Sequence, residues 1–254
     1  MIIILFRKAM SRIALISDIH ANLPALEAVL NDIEQLQCDA IYCLGDIVGY
    51  NANPAECLEL IRARQIPTVR GNHDEEAIGE DNPVGMNPVA YHALMWTRNQ
   101  LSDEQKKWLR RAPFQRILPN EIVLVHATQD KPNSWAYVTN PNIATYSINM
   151  LRDNQCVCFN GHTHVPRLFI RHDGSVQEYA PGNIQLLKAH KYLINVGSVG
   201  QPRDGDPRAA YGIFDDSSMI YCQRRIEYDV QEAQKRILAA GLPEMLATRL
   251  GEGM

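Results

Sequence analysis

The chain has 254 residues, a formal charge of −4 and a hydrophobic share of 46%. That length holds one large domain or two small ones, with enough apolar content for a sizeable core. The acidic balance argues against a general nucleic-acid-binding surface, although a local metal site could reverse the field for a nucleotide substrate.

Six cysteines occur without a C-x-x-C pair, and Cys43, Cys156 and Cys158 lie inside strand-like runs, where buried thiols are common. A reducing, cytoplasmic setting is therefore expected. Met1 to Phe6 is apolar but too short for a membrane helix, and Arg7-Lys8 follow it, the wrong order for a secretory signal. Residues 1–10 read as a disordered or mis-assigned extension, because Met10 stands just before the first strand. Residues 11–254 read as a single domain.

The first half alternates strand and helix. Ile13 to Ile16 is a buried strand, and Asn22 with Pro24 opens a helix whose Leu26, Val29, Leu30, Ile33 and Leu36 recur at helical spacing. Ile41 to Leu44 is a second strand. A helix capped near Asn53 runs to about Arg64, and Thr68-Val69-Arg70 make a third strand. Such alternation predicts right-handed crossovers and a parallel sheet. Residues 75 to about 112 read as an inserted helical pair, with a capping box at Ser102 and Gln105 and with Tyr91, Trp96 and Trp108 as its packing.

The second half reads as hairpins. Arg116–Leu118 and Ile122–Val125 flank Pro119-Asn120, Leu168–Arg171 and Val176–Tyr179 flank Asp173-Gly174, and Tyr211–Phe214 and Met219–Arg225 flank residues 215–218. These predict an antiparallel second sheet. A C-terminal helix over about Val230 to Ala240 is expected to close the chain.

Five polar clusters punctuate this pattern: Asp18-Ile19-His20, Gly45-Asp46, Gly71-Asn72-His73-Asp74, His126 and Gly161-His162-Thr163-His164. Four follow an apolar strand-like run and the Gly71 cluster follows the shorter Thr68-Val69, so their side chains should meet at one sheet edge. Two carboxylates, an amide and several imidazoles there make a ligand set for two divalent metals. Asp18 and His20, at i and i+2, share one face of an extended segment, and a carboxylate such as Asp46 can bridge two cations. Taken singly, each residue has a plainer reading as a cap, a turn or a packed ring. Yet five of the chain's eight histidines fall in the clusters; His92, His172 and His190 do not and are assigned no role.

The order D-x-H, G-D, G-N-H-D, H, G-H-x-H resembles the calcineurin-like metallophosphoesterase superfamily, over about residues 11 to 226. Gly45 to Tyr50, Trp96-Thr97-Arg98 and Gly197 to Asp206 resemble in particular a prokaryotic, phosphodiesterase-like branch. The resemblance implies a four-layer α/β/β/α sandwich with two mixed sheets and the metal site at the C-terminal edge of the strands. It assigns Asp18, His20, Asp46 and His164 to one metal. Asp46, Asn72, His126 and His162 would hold the other, with His73 as proton donor to the leaving group. A metal-bridging hydroxide would attack phosphorus in line, at a site left with one net positive charge for an anionic ester. Manganese, iron, zinc, nickel and cobalt all suit such N/O ligands. Arg203 is the expected extra phosphate contact, with a salt bridge to Asp204 or Asp206 as the equal alternative.

The expected substrate is a phosphate-ester small molecule or nucleotide, with no stable nucleic-acid or membrane partner. A protein or small-molecule phosphomonoesterase is the enzymatic alternative. The protein phosphatases carry G-D-x-x-D-R-G, whereas Ile47-Val48-Gly49-Tyr50 follow Asp46 here, so that arginine is missing. Diadenosine polyphosphatases share a similar arginine, and a repair nuclease would need a DNA-capping domain and a basic groove. A non-catalytic scaffold of the same fold is the remaining alternative, opposed by the retention of His73 and every ligand. Ala127-Thr128 and Asn51-Ala52 depart from the commoner Gly-Ser and Gly-Pro, which bears on substrate choice.

Overall fold

The structure, a computed structural model, describes residues 12–81 and 86–254; the extension expected over residues 1–10 lies outside them. The chain runs β1 (Arg12–Ile16), α1 (Leu23–Gln35), β2 (Ala40–Cys43), α2 (Pro54–Ala63) and α3 (Asn72–Ile78). Then come α4 (Pro88–Gln100), α5 (Asp103–Arg110), β3 (Gln115–Ile117), β4 (Val123–Val125), α6 (Pro141–Asn149) and β5 (Val157–Asn160). The remainder is β6 (Arg167–His172), β7 (Ser175–Tyr179), β8 (Ile184–Gln185), β9 (Lys191–Asn195), β10 (Ala209–Asp215), β11 (Ile220–Ile226), α7 (Val230–Ala239) and α8 (Glu244–Glu252).

The strands form two mixed sheets, ordered β2-β1-β10-β11-β8 and β3-β4-β5-β9-β6-β7. Side-chain alternation explains how they stack. In β1, Ala14 and Ile16 face α1 and α2, while Ile13 and Leu15 face the second sheet. In β5, Val157 and Phe159 meet that inner layer, whereas Cys158 packs on Ala144 and Ile148 of α6. Three apolar interfaces thus separate four layers, helix on sheet on sheet on helix.

Several expectations need correction. The β10–β11 hairpin joins the first sheet rather than the second, since β10 pairs antiparallel with β1. Six of its seven residues are buried, as a central strand covered on both faces requires. The second sheet is not antiparallel throughout: β4, β5 and β9 run parallel, and α6 lies in the β4–β5 crossover. Thr68-Val69 is no full strand; only a single bridge joins Thr68 to Cys43, beside Pro67, which lacks an N–H for a ladder. The 75–112 stretch holds three helices, and the first begins at Asn72 itself. Trp96 and Trp108 do pack against the core, and Ser102 and Gln105 do form the capping box.

Candidate metal centre

The turns after β1 and β2 interlock through backbone bonds. The Asp18 N–H donates to the Gly45 carbonyl (3.0 Å) and that of His20 to Asp46 (2.9 Å). Asp18, His20, Asp46, His162 and His164 all have φ between 46° and 68°, the left-handed region. Asp and His tolerate it better than most residues, at a cost of roughly 1–2 kcal/mol each. Such concentrated strain marks a site whose side chains must point one way. Gly45 has φ +96°, and a Cβ there would sit 2.6 Å from the Gly71 nitrogen. A Cβ on Gly161 would sit 2.3 Å from an Asp18 oxygen. Both glycines let two clusters touch.

Asp74 fixes the third cluster. Its carboxylate accepts from the backbone N–H groups of Asp46 (2.8 Å), Ile47 (2.9 Å), Val48 (3.3 Å) and Gly71 (3.1 Å). Burial, with Asp46 nearby, raises its pKa to about 7, against the lowering effect of those donors. The His73 N–H donates to Asp46 Oδ1 (2.8 Å), which orients the carboxylate. Farther along, Arg98 donates to the Glu76 and Asp81 carbonyls and ties α4 to α3.

Four of the five imidazoles are aimed by a carbonyl. Nδ1 of His20 faces Val48 (3.2 Å), that of His126 faces Leu44 (2.8 Å) and that of His164 faces Gln201 (2.6 Å). His162 is turned over, its Nε2 facing Trp135 (2.8 Å). A ring nitrogen facing a carbonyl must carry the proton, so the opposite nitrogen presents a lone pair inward, as a metal ligand does.

Those inward atoms gather in two groups. Nε2 of His164 is 3.3 Å from Asp18 Oδ1 and 2.9 Å from Nε2 of His20. Nε2 of His126 is 3.3 Å from Asp46 Oδ2, 3.3 Å from Asn72 Oδ1 and 3.2 Å from Nδ1 of His162. Asp46 Oδ2 also lies 3.6 Å from Nε2 of His20, which places it between the groups. Asp18–His20–His164, Asp46–His126–His162 and His20–Asp46–His73 each bring their ligand atoms within 4.8 Å of one another. Facing lone pairs at 2.9 Å repel unless a cation lies among them, so this donor set fits divalent metals.

The electrostatics agree. Burial pushes Asp18 and Asp46 up, but the histidines beside them win and hold both below the usual carboxylate range. Burial opposes a charge on His126, yet Asp46 and Asp18 lift it to about 9. Burial lowers His162 to about 3, and lowers His20 and His164 as well. Two buried carboxylates thus demand positive charge, and without a cation one imidazolium supplies it.

His73 adjoins the groups, its ring edge-on to His20 at 4.8 Å and 4.4 Å from Tyr50. Its Nδ1 is buried without a hydrogen-bond partner, and burial, partly offset by Asp46, lowers its pKa to about 4. Arg203 forms neither expected salt bridge: Asp204 is taken by Arg225 and Asp206 by Arg208. It donates instead to Gln201 Oε1 (2.9 Å).

Sequence reasoning overlooked the mouth. Tyr137 stacks on His162 at 4.1 Å with half its surface exposed. Tyr50 lies 4.7 Å from the His20 ring, and Arg249 of α8 lies 6.0 Å from the Tyr50 ring. Only Tyr50 had a local signal, its place just after Gly45-Asp46.

A family model described as the calcineurin-like phosphoesterase superfamily domain matches residues 11–219. The uncharacterized protein MJ0912 of Methanocaldococcus jannaschii is 40% identical over 243 residues, 94% of this chain and 97% of that protein. The crystal structure of a metallophosphoesterase from Sphaerobacter thermophilus superposes with a TM-score of 0.84 at 40% identity, covering 96% of this chain and 99% of that one. Phosphodiesterase YfcE of Escherichia coli is 23% identical over 218 residues, 81% of this chain and 88% of that protein.

Proposed function

This chain belongs to the calcineurin-like phosphoesterase superfamily and is a metal-dependent phosphoesterase; on that premise we propose a dinuclear hydrolase acting chiefly on phosphodiesters. The observation that carries this reading is the inward lone pairs of four histidines, each aimed by a carbonyl, around two buried aspartates. Asp18, His20, Asp46 and His164 would hold one cation, and Asp46, Asn72, His126 and His162 the other. Bound there, two divalent ions would acidify a shared water into the nucleophile and neutralise phosphoryl oxygens. Manganese, iron, zinc, nickel and cobalt all suit this donor set.

The protein's own groups do the rest. His73, neutral in the free protein, would hydrogen-bond the leaving oxygen and hand it a proton once the anionic ester raises its pKa. Arg203, with no carboxylate partner among the described residues, is the substrate-binding residue. A second reading of His73 rests on the His20–Asp46–His73 group and makes it a ligand. The name of YfcE supports diesters over monoesters. We take residues 11–254 to act as one domain in the cytoplasm, in keeping with six free thiols. No described helix is long and apolar enough to cross a membrane. The partner we expect is a small phosphate ester or nucleotide, not a nucleic acid or membrane.

The test uses protein stripped by chelator and reloaded with each metal in turn. Hydrolysis of bis(4-nitrophenyl) phosphate should appear only after reloading and exceed that of 4-nitrophenyl phosphate. Inertness with every metal would favour the scaffold, and a monoester preference the phosphatase alternative.

A further inference from the structure

Beside the metal centre the fold assembles a second cationic feature. The guanidinium carbon of Arg203 lies 5.7 Å from the centre of the Tyr50 ring, and that of Arg249 lies 6.0 Å from the same centre. The two arginines come from distant parts of the chain. Arg203 follows Gln201, whose carbonyl aims His164, and its own N–H donates to the His164 carbonyl (3.2 Å). Arg249 stands near the end of α8, beyond the 11–219 stretch matched by the family model.

The end of α8 is seated on the Arg203 loop. Gly253 ends the helix with φ +67°, and its carbonyl accepts from the Gly205 N–H (3.0 Å). A Cβ on Gly253 would meet the Asp206 backbone at 2.6 Å, so no other residue fits without movement. On its other side α8 buries Leu246, Ala247 and Leu250 against α7, in a cluster that Tyr50 and Ala52 also join. Arg249 is therefore held beside Tyr50 by packing at both ends of the helix.

No acidic side chain among the described residues answers the two charges. The carboxylates of this loop pair elsewhere, Asp204 with Arg225 and Asp206 with Arg208. Among the described residues no carboxylate side chain pairs with Arg203 or Arg249. Arg203 donates to Gln201 and has a buried Nε without a partner, whereas Arg249 donates through Nε to an oxygen of the terminal carboxyl of Met254 and keeps its two terminal nitrogens for another ligand. Burial, then the nearby Arg203, depress the Arg249 pKa, as expected for like charges close together in a half-buried place.

We propose that Arg203 and Arg249, on either hand of Tyr50, form a seat for a second phosphate, so that the substrate is a phosphate ester bearing another phosphoryl group. This deepens the esterase reading and rests on it. A loaded metal centre carries a net positive charge, and two further guanidiniums exceed what one phosphodiester monoanion can neutralise. A phosphomonoester dianion elsewhere on the molecule matches them, since arginine forks pair with phosphate oxygens. The competing role, clamping the Tyr50 ring by cation–π contact, would be worth about 0.5–2 kcal/mol at this half-buried place, and it predicts no preference for a second phosphate.

Isothermal titration of the manganese-loaded protein with thymidine 3′,5′-bisphosphate and thymidine 5′-monophosphate tests this without turnover. The bisphosphate should bind at least tenfold more tightly. Arg249→Gln should abolish that advantage, Arg203→Gln should reduce it, and Arg249→Lys, which keeps the charge, should retain most of it. Equal affinities in the unmodified protein, or an advantage that survives Arg249→Gln, would overturn the seat. Hydrolysis of bis(4-nitrophenyl) phosphate by the same preparation separates the two claims. Turnover without a bisphosphate preference removes the second seat alone, whereas absence of turnover removes the esterase reading.

Discussion

The metal centre and its mouth are built on opposite plans. Every proposed ligand of the centre sits just after a strand or in the first turn of α3; all but the half-buried Asn72 are buried, and the four histidines are each aimed by a backbone carbonyl. The mouth is made of long side chains, Tyr50, Tyr137, Arg203 and Arg249, drawn from four separate segments and partly open to solvent. A cation site needs donors fixed within a few tenths of an ångström, which strand ends and backbone bonds provide. Substrate choice needs reach and charge, which loops and a terminal helix supply. Substitutions in the first region should therefore destroy the chemistry, and those in the second should re-aim it.

The largest effect belongs to Asp46. Asp46→Asn should cost more activity than loss of any terminal ligand, well beyond the ~10- to 100-fold typical of outer-shell partners. Elemental analysis should also find less bound metal than in His164→Ala. Equal stoichiometry in those two variants would remove Asp46 from the bridge.

His73 tests where chemistry ends and binding begins. His73→Ala should keep both metals and lose about 10²- to 10⁴-fold on an alkyl diester, the range of general acid catalysis. The loss should shrink on a nitrophenyl diester, whose leaving group needs no proton. Equal losses on both would refute the acid role, and loss of metal would make His73 a ligand.

The raised pKa of His126 makes metal binding pH-dependent. Below about 9 the metal-free protein protonates this ring, so a cation must displace a proton. Apparent affinity should weaken about tenfold per pH unit on acidification from about 9, with one proton released per protein on loading. The same shift stabilises the metal-free fold fully below about pH 6.5, and that contribution is lost as pH rises through about 9. Calorimetry in buffers of different ionisation enthalpy would count the proton. A flat affinity profile would place the compensating charge elsewhere.

The mouth should respond more gently. Tyr137→Ala removes a ring stacked on His162, and a contact of that kind is worth about 0.5–1.5 kcal/mol, or roughly two- to tenfold. The change should fall on KM for aromatic esters and leave metal content intact. A drop in metal content would assign Tyr137 to the centre instead.

The same division decided what could be read from the sequence. Continuous apolar runs made Ile13 to Ile16 and Cys156 to Phe159 legible as buried strands, and the polar residues just beyond them marked the edge of the sheets. The partner of β1 was not legible, because β1 residues pair with β10 residues about two hundred positions away and nothing local encodes that choice. The helix α6 escaped notice because it is short and the polar Ser147 occupies its buried face, leaving little beyond Ile143, Ala144 and Ile148 to pack. The strand β9 was missed too, although Tyr192-Leu193-Ile194 is an apolar run, since it is only three residues long before Asn195. Arg249 offered no signal at all: its meaning arises only when α8 folds back on the Arg203 loop.

The central claim is a pair of cations bridged by Asp46, and crystals of the manganese-loaded protein measured at the manganese edge address it directly. Two anomalous peaks should appear, one among Asp18, His20 and His164 and one among Asn72, His126 and His162, with Asp46 touching both. A single peak, or two peaks that Asp46 does not join, would contradict the account.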